Sequence, residues 1–197
     1  AYLIIIYYNN IMKKIIEEKE IEYIVNKSKF IGFVYNVYSI DDVKNILTSL
    51  KNKYSDATHI CYAYIINQVK KYDDNQEPTA GLPILNVLEN NTLNYVMCVV
   101  VRYFGGIKLG VGGLSRAYTK ACKLCLENNT KILSYGFKII IRFEYSQINQ
   151  MDFLLKNSKV VDKKFDKDVT YTILITQKEF ETIKNNLNVI EKTSVIM

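Results

Sequence analysis

Several residue types are scarce in this chain of 197 residues: it has no Trp, two Pro, eight Gly and one His. Four Cys occur without a secretory signal, which argues for free thiols in a reducing compartment. We therefore expect a cytoplasmic protein. Hydrophobic residues make up 49% of the chain, so it can build a substantial core, and disorder over most of its length is excluded.

Long hydrophobic runs are also missing. The apolar run Tyr2 to Tyr8 is far shorter than the roughly 20 residues that span a bilayer. It has neither the basic residue nor the small-residue cleavage site of a signal peptide. We expect residues 1–11 to be an N-terminal extension or an extra edge strand, followed by a charged lead-in over Lys13 to Glu20, with no membrane contact.

Arginine is scarce too, whereas Ile, Lys, Asn and Tyr are abundant. This bias is typical of an A/T-rich genome. The net charge of +6 therefore partly reflects codon usage, and by itself it does not indicate nucleic-acid binding. The positions of the charges carry more information than their sum.

The first two thirds of the chain alternate apolar strand and helix patterns. The predicted strands are Ile21–Val25, Phe30–Tyr38, Thr58–Ile66 and Tyr95–Tyr103. The predicted helices are Ile40–Lys53, a short one at Pro83–Leu88, and Leu114–Glu127. We expect a polar loop over Asn67–Ala80.

The last third of the chain also contains strand and helix patterns. They follow a polar segment, Asn128–Lys131, which is typical of a linker. The predicted elements in chain order are strand Leu133–Tyr145, helix Gln147–Asn157, strands Lys159–Phe165 and Val169–Thr176, helix Gln177–Asn188 and strand Val189–Ile196. The order βαββαβ is that of a ferredoxin-like domain. We predict an α+β protein with one domain over residues 12–130 and a second over 131–197.

The most informative segment is Arg102 to Ser115, RYFGGIKLGVGGLS, which holds five of the eight glycines. Glycine permits positive φ angles and close approach of a ligand to the backbone, and the N-terminus of the helix that follows attracts anions. No acidic residue occurs between Glu89 and Glu127. Five cationic residues do: Arg102, Lys108, Arg116, Lys120 and Lys123. Both features indicate a negatively charged ligand.

Known nucleotide motifs do not fit this segment. A P-loop requires Lys and then Ser or Thr after its last glycine, but Val111 follows Gly110. A dinucleotide-binding fingerprint would need a third glycine where Ser115 stands. A structural alternative is a glycine-rich turn that only lets a helix pack close to the sheet.

An acidic loop, Asp73, Asp74 and Glu77, precedes the central strand. Its carboxylates could act as acid and base groups, pair with the basic segment, or form a solvated turn. The single histidine, His59, shares a strand face with Cys61. A zinc site with Cys122 and Cys125 is arithmetically allowed, but these Cys positions are typical of an apolar helix face, so we expect no metal. Spacing gives no local support for Ser/His/Asp or Cys/His catalysis.

Three segments together form a pattern. The strand segment contains Ala57, His59, Ala63 and Tyr64. The acidic segment contains Asp73, Asp74, Glu77–Gly81 and Pro83. The glycine segment contains Arg102–Gly106, Lys108–Gly110, Gly112–Leu114, Ala117 and Tyr118. Over about Phe30 to Glu127 this pattern resembles the YigZ/IMPACT family, although Asn75 and Gln76 depart from the usual acidic loop.

The resemblance implies a first domain with the ribosomal protein S5 domain-2-like fold and a second that resembles a translation elongation factor domain. The eukaryotic branch restrains the starvation-responsive initiation-factor kinase by competing for its activator, and it uses an additional N-terminal domain. This chain is similar to the bacterial architecture, for which RNA or ribosome binding is inferred from the fold.

We therefore predict a ligand-binding site without cofactor or metal, on a protein that regulates translation through RNA, ribosome or translation-factor contact, without DNA sequence specificity. The predicted ligand-binding residues are His59, Asp73, Asp74, Glu77, Arg102, Gly105, Gly106, Lys108, Gly110, Gly112, Gly113, Arg116 and Lys120. The alternatives are a hydrolase that uses Asp74, Glu77 and His59, and a protein-interaction module.

Overall fold

The computed structural model describes residues 12–197, so the expected N-terminal extension over residues 1–11 lies outside the described residues. The chain divides into two compact units, one ending at Ile132 and the other beginning at Leu133. Helices and sheets occur in both units, which confirms the predicted α+β class. Within the described range, no helix is long and apolar enough to cross a membrane.

The described part of the first unit contains seven strands and three helices. Its strands are β1 (Lys13–Ile15), β2 (Lys19–Val25), β3 (Ser28–Asn36), β4 (His59–Ile66), β5 (Val69–Asp73), β6 (Val96–Tyr103) and β7 (Thr130–Ile132). Its helices are α1 (Ile40–Lys53), α2 (Gly81–Asn90) and α3 (Gly110–Leu126).

An antiparallel sheet with the order β2-β3-β6-β4-β5 is the framework of this unit. The central strand β6 is buried on both faces, because α2 and α3 cover one face and α1 covers the other. The continuous apolar run of its sequence follows from this double coverage.

Helix α1 has the bounds that the sequence predicts. Ser39 caps its N-terminus and forms a capping box with Asp42, whose carboxylate accepts hydrogen bonds from the backbone N–H groups of Tyr38 and Ser39. The Tyr38 N–H is the main cause that lowers the pKa of Asp42. Val43 and Leu50 bury the apolar side of the helix.

Two strands lie where the sequence predicts irregular chain. Strand β5 falls within the predicted loop over residues 67–80, and β1 falls within the predicted charged lead-in. Strand β1 pairs with β7 in a small antiparallel sheet, so it depends on a partner more than a hundred residues away.

Part of the predicted linker Asn128–Lys131 is packed into the first unit. Asn129 is 4% exposed, and its side chain exchanges hydrogen bonds with the backbone N–H and carbonyl of Glu17. Its amide also donates to the carbonyl of Cys125 at the end of α3. Because Thr130 and Lys131 belong to β7, the first unit extends to Ile132 rather than to residue 130.

The second unit has the element order that its sequence predicts. Its elements are β8 (Tyr135–Phe143), α4 (Ile148–Leu154), β9 (Lys159–Phe165), β10 (Val169–Thr176), α5 (Gln177–Ile183) and β11 (Val189–Ile196). The antiparallel sheet has the order β11-β8-β10-β9, which is the ferredoxin-like arrangement. Alternate residues of β10, from Val169 to Ile175, face the core of this unit.

Candidate functional site

Four polar side chains of the first unit meet in a buried group, the Glu77 cluster: His59, Glu77, Arg102 and Tyr118. His59 begins β4 and is the direct cross-strand partner of Arg102 near the end of β6. Glu77 comes from the loop between β5 and α2, and Tyr118 comes from α3. Glu77 and Arg102 are each 5% exposed, so each depends on protein groups in place of water.

The Glu77 carboxylate is the centre of this cluster. Its Oε2 forms an ion pair with Nη1 of Arg102. The same oxygen accepts a hydrogen bond of 3.3 Å from the Tyr118 hydroxyl and lies 3.4 Å from Nε2 of His59. Donors around one oxygen compensate the hydration that a carboxylate loses on burial.

Aromatic rings enclose the guanidinium of Arg102. Its central carbon lies 5.6 Å from the ring centroid of Phe30 and 5.5 Å from that of Phe104. The Nε–H group is buried and has no hydrogen-bond partner within residues 12–197. The ring contacts contribute cation–π stabilisation to the guanidinium. The cluster therefore fixes the orientation of Arg102 from several directions.

His59 is the most exposed member of the cluster, with a side chain that is 23% exposed. Its Nδ1 lies 3.0 Å from the backbone carbonyl oxygen of Asn75. Because a carbonyl only accepts, Nδ1 carries a hydrogen and donates it. Nε2 is then the nitrogen that faces Glu77.

The sequence analysis did not place Tyr118 in the site, nor Cys61, which adjoins the cluster through Tyr118. Sγ of Cys61 lies 3.1 Å from the backbone carbonyl oxygen of Asp74 and 3.5 Å from the Tyr118 hydroxyl, and its single hydrogen has both oxygens as possible acceptors. Burial raises the pKa of Cys61 to about 12 and the pKa of Tyr118 well above its usual value. Both groups therefore stay protonated and donate. The available signal in the sequence was the position of Tyr118 in the apolar stripe of its helix, because a buried hydroxyl group needs a hydrogen-bond partner.

The aspartates of the acidic loop stabilise the loop itself. Asp73 Oδ1 accepts from the N–H of Asn75 at 2.6 Å. Asp74 Oδ1 accepts from the N–H groups of Ala80 at 3.0 Å and Gly81 at 2.6 Å, so it caps α2. Of the three predicted carboxylates, only that of Glu77 forms an ion pair within the part of the chain that the structure describes.

Asn75 and Gln76, which depart from the family pattern, form the tight turn of this loop. Their φ angles are 44° and 63°, in the left-handed region that Asn tolerates better than most residues. This turn places the Asn75 carbonyl on His59, so the altered residues still contribute a contact to the cluster.

The glycines of the segment Arg102 to Ser115 occupy positions with different structural requirements. A Cβ on Gly105 would overlap the backbone of Lys27, at the turn between β2 and β3. Gly106 and Gly110 have φ angles of +85° and +68° and face open space. Helix α3 begins at Gly110, four residues earlier than predicted, so Gly112 lies inside a helix and not in a loop.

Four cationic side chains, one just before α3 and three on it, lie on the surface of the first unit. We call Lys108, Arg116, Lys120 and Lys123 the basic surface. All four are exposed, and none forms an ion pair with a carboxylate in the part of the chain that the structure describes. Arg116, Lys120 and Lys123 share one face of α3, since they are spaced four and three residues apart.

The structure thus sorts the predicted ligand-binding residues into two groups. His59, Glu77 and Arg102 come together in the Glu77 cluster, and the aspartates adjoin it in the acidic loop. The glycines and the cations Lys108, Arg116 and Lys120 lie outside it, along the glycine segment and α3.

The four residues of the zinc alternative do not form one site. Cys122 and Cys125 lie in the apolar core, where hydrogen bonding to Cys98 raises the pKa of Cys125 most strongly. His59 and Cys61 contact the acidic loop instead. Within residues 12–197, no group of three or more His, Cys, Asp or Glu side chains could hold a metal ion.

Fold and site define an α+β protein in which a buried ion-pair cluster lies in the same unit as an exposed basic surface. Residues 26–126 match the Impact N-terminal domain family. The chain is 33% identical to the IMPACT family member YvyE of Bacillus subtilis, covering 83% of this chain and 79% of that protein. It is 31% identical to the IMPACT family member YigZ of Escherichia coli, covering 66% of this chain and 68% of that protein.

Among solved structures, the crystal structure of a hypothetical protein has the same fold, with a TM-score of 0.58 and 24% identity. It matches 90% of this chain and 95% of that one. The chain belongs to the IMPACT family, as the resemblance in its sequence predicts.

Proposed function

We propose that this protein is a non-enzymatic, translation-associated binding protein whose basic surface takes the phosphate backbone of RNA, free or in a ribosome. Family membership supports the connection with translation, because the resemblance implies regulation of translation. One observation carries the choice of ligand: the basic surface consists of exposed cations without carboxylate partners among the described residues.

The distribution of charge favours a polyanion over a small anion. Arg116 and Lys123 are seven residues apart on α3, so their backbone positions are separated by about 10 Å along the helix axis. Lys108 adds an exposed cation two residues before the helix begins. A linear ligand with repeated negative charges can contact several of these cations at once, and each contact releases counterions.

The test is a salt titration of binding to a fluorescently labelled oligouridylate, followed by anisotropy. The Lys108→Ala, Lys120→Ala double variant should bind more weakly than the unaltered protein. The slope of log affinity against log salt should fall by about one per lysine. The free energy of unfolding should change by less than about 0.5 kcal/mol, as is usual for exposed positions.

A matched control is the Lys44→Ala, Lys51→Ala double variant, which removes two exposed lysines from α1. This helix packs on the opposite face of the sheet from α3, so RNA affinity at a given salt concentration should fall much less. Binding that is independent of salt, or that is unchanged in the Lys108, Lys120 double variant, would contradict the proposal and favour a protein-interaction module.

A further inference from the structure

We infer that the exposed ring of Phe104 is a stacking platform for an unpaired RNA base, so that the ligand of the basic surface is single-stranded. This inference rests on the proposed function and adds a contact with bases to the contacts with phosphates.

Phe104 has contacts on its backbone and on its ring, although it is 46% exposed. Its backbone N–H donates to the Thr58 hydroxyl at 3.0 Å. Its ring contacts the guanidinium of Arg102, whose orientation is fixed by the ion pair with Glu77. A pre-oriented ring loses little conformational freedom when a ligand stacks on it.

The surroundings of Phe104 suit a phosphate-bearing ligand. The next residue, Gly105, lies against the backbone of Lys27 in the turn between β2 and β3. Lys27 and Lys108 are both exposed, and neither pairs with a carboxylate within residues 12–197. The chain between Glu89 and Glu127 adds no negative charge.

An exposed aromatic ring in the same segment as exposed cations that have no carboxylate partner within residues 12–197 is a combination that suits single strands. Bases stack on the ring without regard to sequence, and the cations follow the backbone. In a duplex the base faces are already stacked on one another, so only phosphates and groove edges remain for contact. A protein partner would have to supply carboxylates to the same lysines, and this is the competing outcome of the test.

The probes are an oligouridylate of about 12 nucleotides, within the usual site sizes for single strands, an abasic strand with the same number of phosphates, and an RNA duplex. Uridylate is chosen because its bases stack weakly on one another. The unaltered protein should bind the oligouridylate more tightly than the abasic strand, on the order of 5- to 100-fold for one stacked base.

The Phe104→Leu variant should lose this preference and keep its affinity for the abasic strand. Phe104→Tyr retains the ring and should restore the preference. Phe153→Leu is the matched control, because Phe153 is also exposed and has a cation, Lys156, 4.9 Å from its ring centroid, but it lies on α4. Thermal unfolding confirms that each variant is folded.

The outcomes separate the two proposals. If the unaltered protein binds the base-bearing and abasic strands equally, and Phe104→Leu changes nothing, the stacking inference is wrong while the phosphate-binding function stands. Equal or tighter binding of the duplex also overturns the inference. If none of the nucleic acids binds, the proposed function fails, and the inference fails with it.

Discussion

The Glu77 cluster and the basic surface are both built from charged residues of the first unit, but their charges are used differently. In the cluster, the Glu77 carboxylate faces Arg102, His59 and the Tyr118 hydroxyl. On the basic surface, the exposed cations have no carboxylate partner among the described residues.

This difference shows which charges are free for a ligand. The acidic loop contains carboxylates next to a histidine, a composition that suits acid-base catalysis. In the structure, Asp74 caps a helix and Glu77 neutralises a buried arginine, so both carboxylates stabilise the fold. The exposed charges of α3, by contrast, are cations without a carboxylate partner among the described residues.

The largest effect that tests this comparison is expected from the buried ion pair. Arg102→Met leaves Glu77 buried without its main partner, and it should reduce the free energy of unfolding by about 3–5 kcal/mol. Urea denaturation followed by circular dichroism measures the change.

The double variant Arg102→Met, Glu77→Met is the control for that experiment. It removes both charges and should be less destabilised than the single variant, because no uncompensated charge remains. A loss below about 1 kcal/mol for Arg102→Met would mean that water reaches the cluster and that the contrast with the basic surface is weaker than the structure indicates.

A glycine series sharpens the comparison along the segment that joins the two regions. Gly105→Ala should destabilise by about 1–3 kcal/mol, because its Cβ would overlap the backbone of Lys27. Gly106→Ala has open space but a φ of +85°, so it should cost about 1 kcal/mol. Gly112→Ala should stabilise by about 0.5–1 kcal/mol, since the residue is helical and its Cβ meets only the end of Arg116.

Thermal and urea unfolding of the three variants give this order directly. If Gly112→Ala weakens RNA binding while it stabilises the fold, the ligand approaches the backbone of α3 closely. Equal destabilisation by all three substitutions would contradict the assignment of different structural reasons to these glycines.

Local signals account for the parts of the fold that the sequence predicted well. The bounds of α1 follow from Ser39 and from apolar residues at helical spacing, all within one short segment. The strands β9, β10 and β11 also have the predicted bounds. In β10, strict alternation of buried and half-buried residues explains why the pattern was clear.

The missed features depend on distant partners. Strand β5, with the sequence VKKYD, is exposed at every residue and has no alternation to reveal it. Strand β1 is ordered by β7, far along the chain. The hydroxyl of Tyr118 reaches Glu77 across 41 residues, and periodicity could only place Tyr118 in a buried stripe. The motifs also did not predict that Asp73 and Asp74 stabilise the loop that contains them.

The last test concerns those aspartates. Asp74→Ala removes the acceptor for two N–H groups at the start of α2, so it should reduce the free energy of unfolding by about 1 kcal/mol, within the usual range for a helix cap. Asp74→Asn keeps a side-chain oxygen there and should lose less. Asp73→Ala is the matched control: it removes one hydrogen bond in an exposed turn, and its effect should be smaller still.

Because Asp74 faces α2, oligouridylate affinity per folded molecule should be the same in Asp74→Ala as in the unaltered protein. A variant that keeps its stability but loses affinity would place the acidic loop in the binding site and remove the contrast between the two regions.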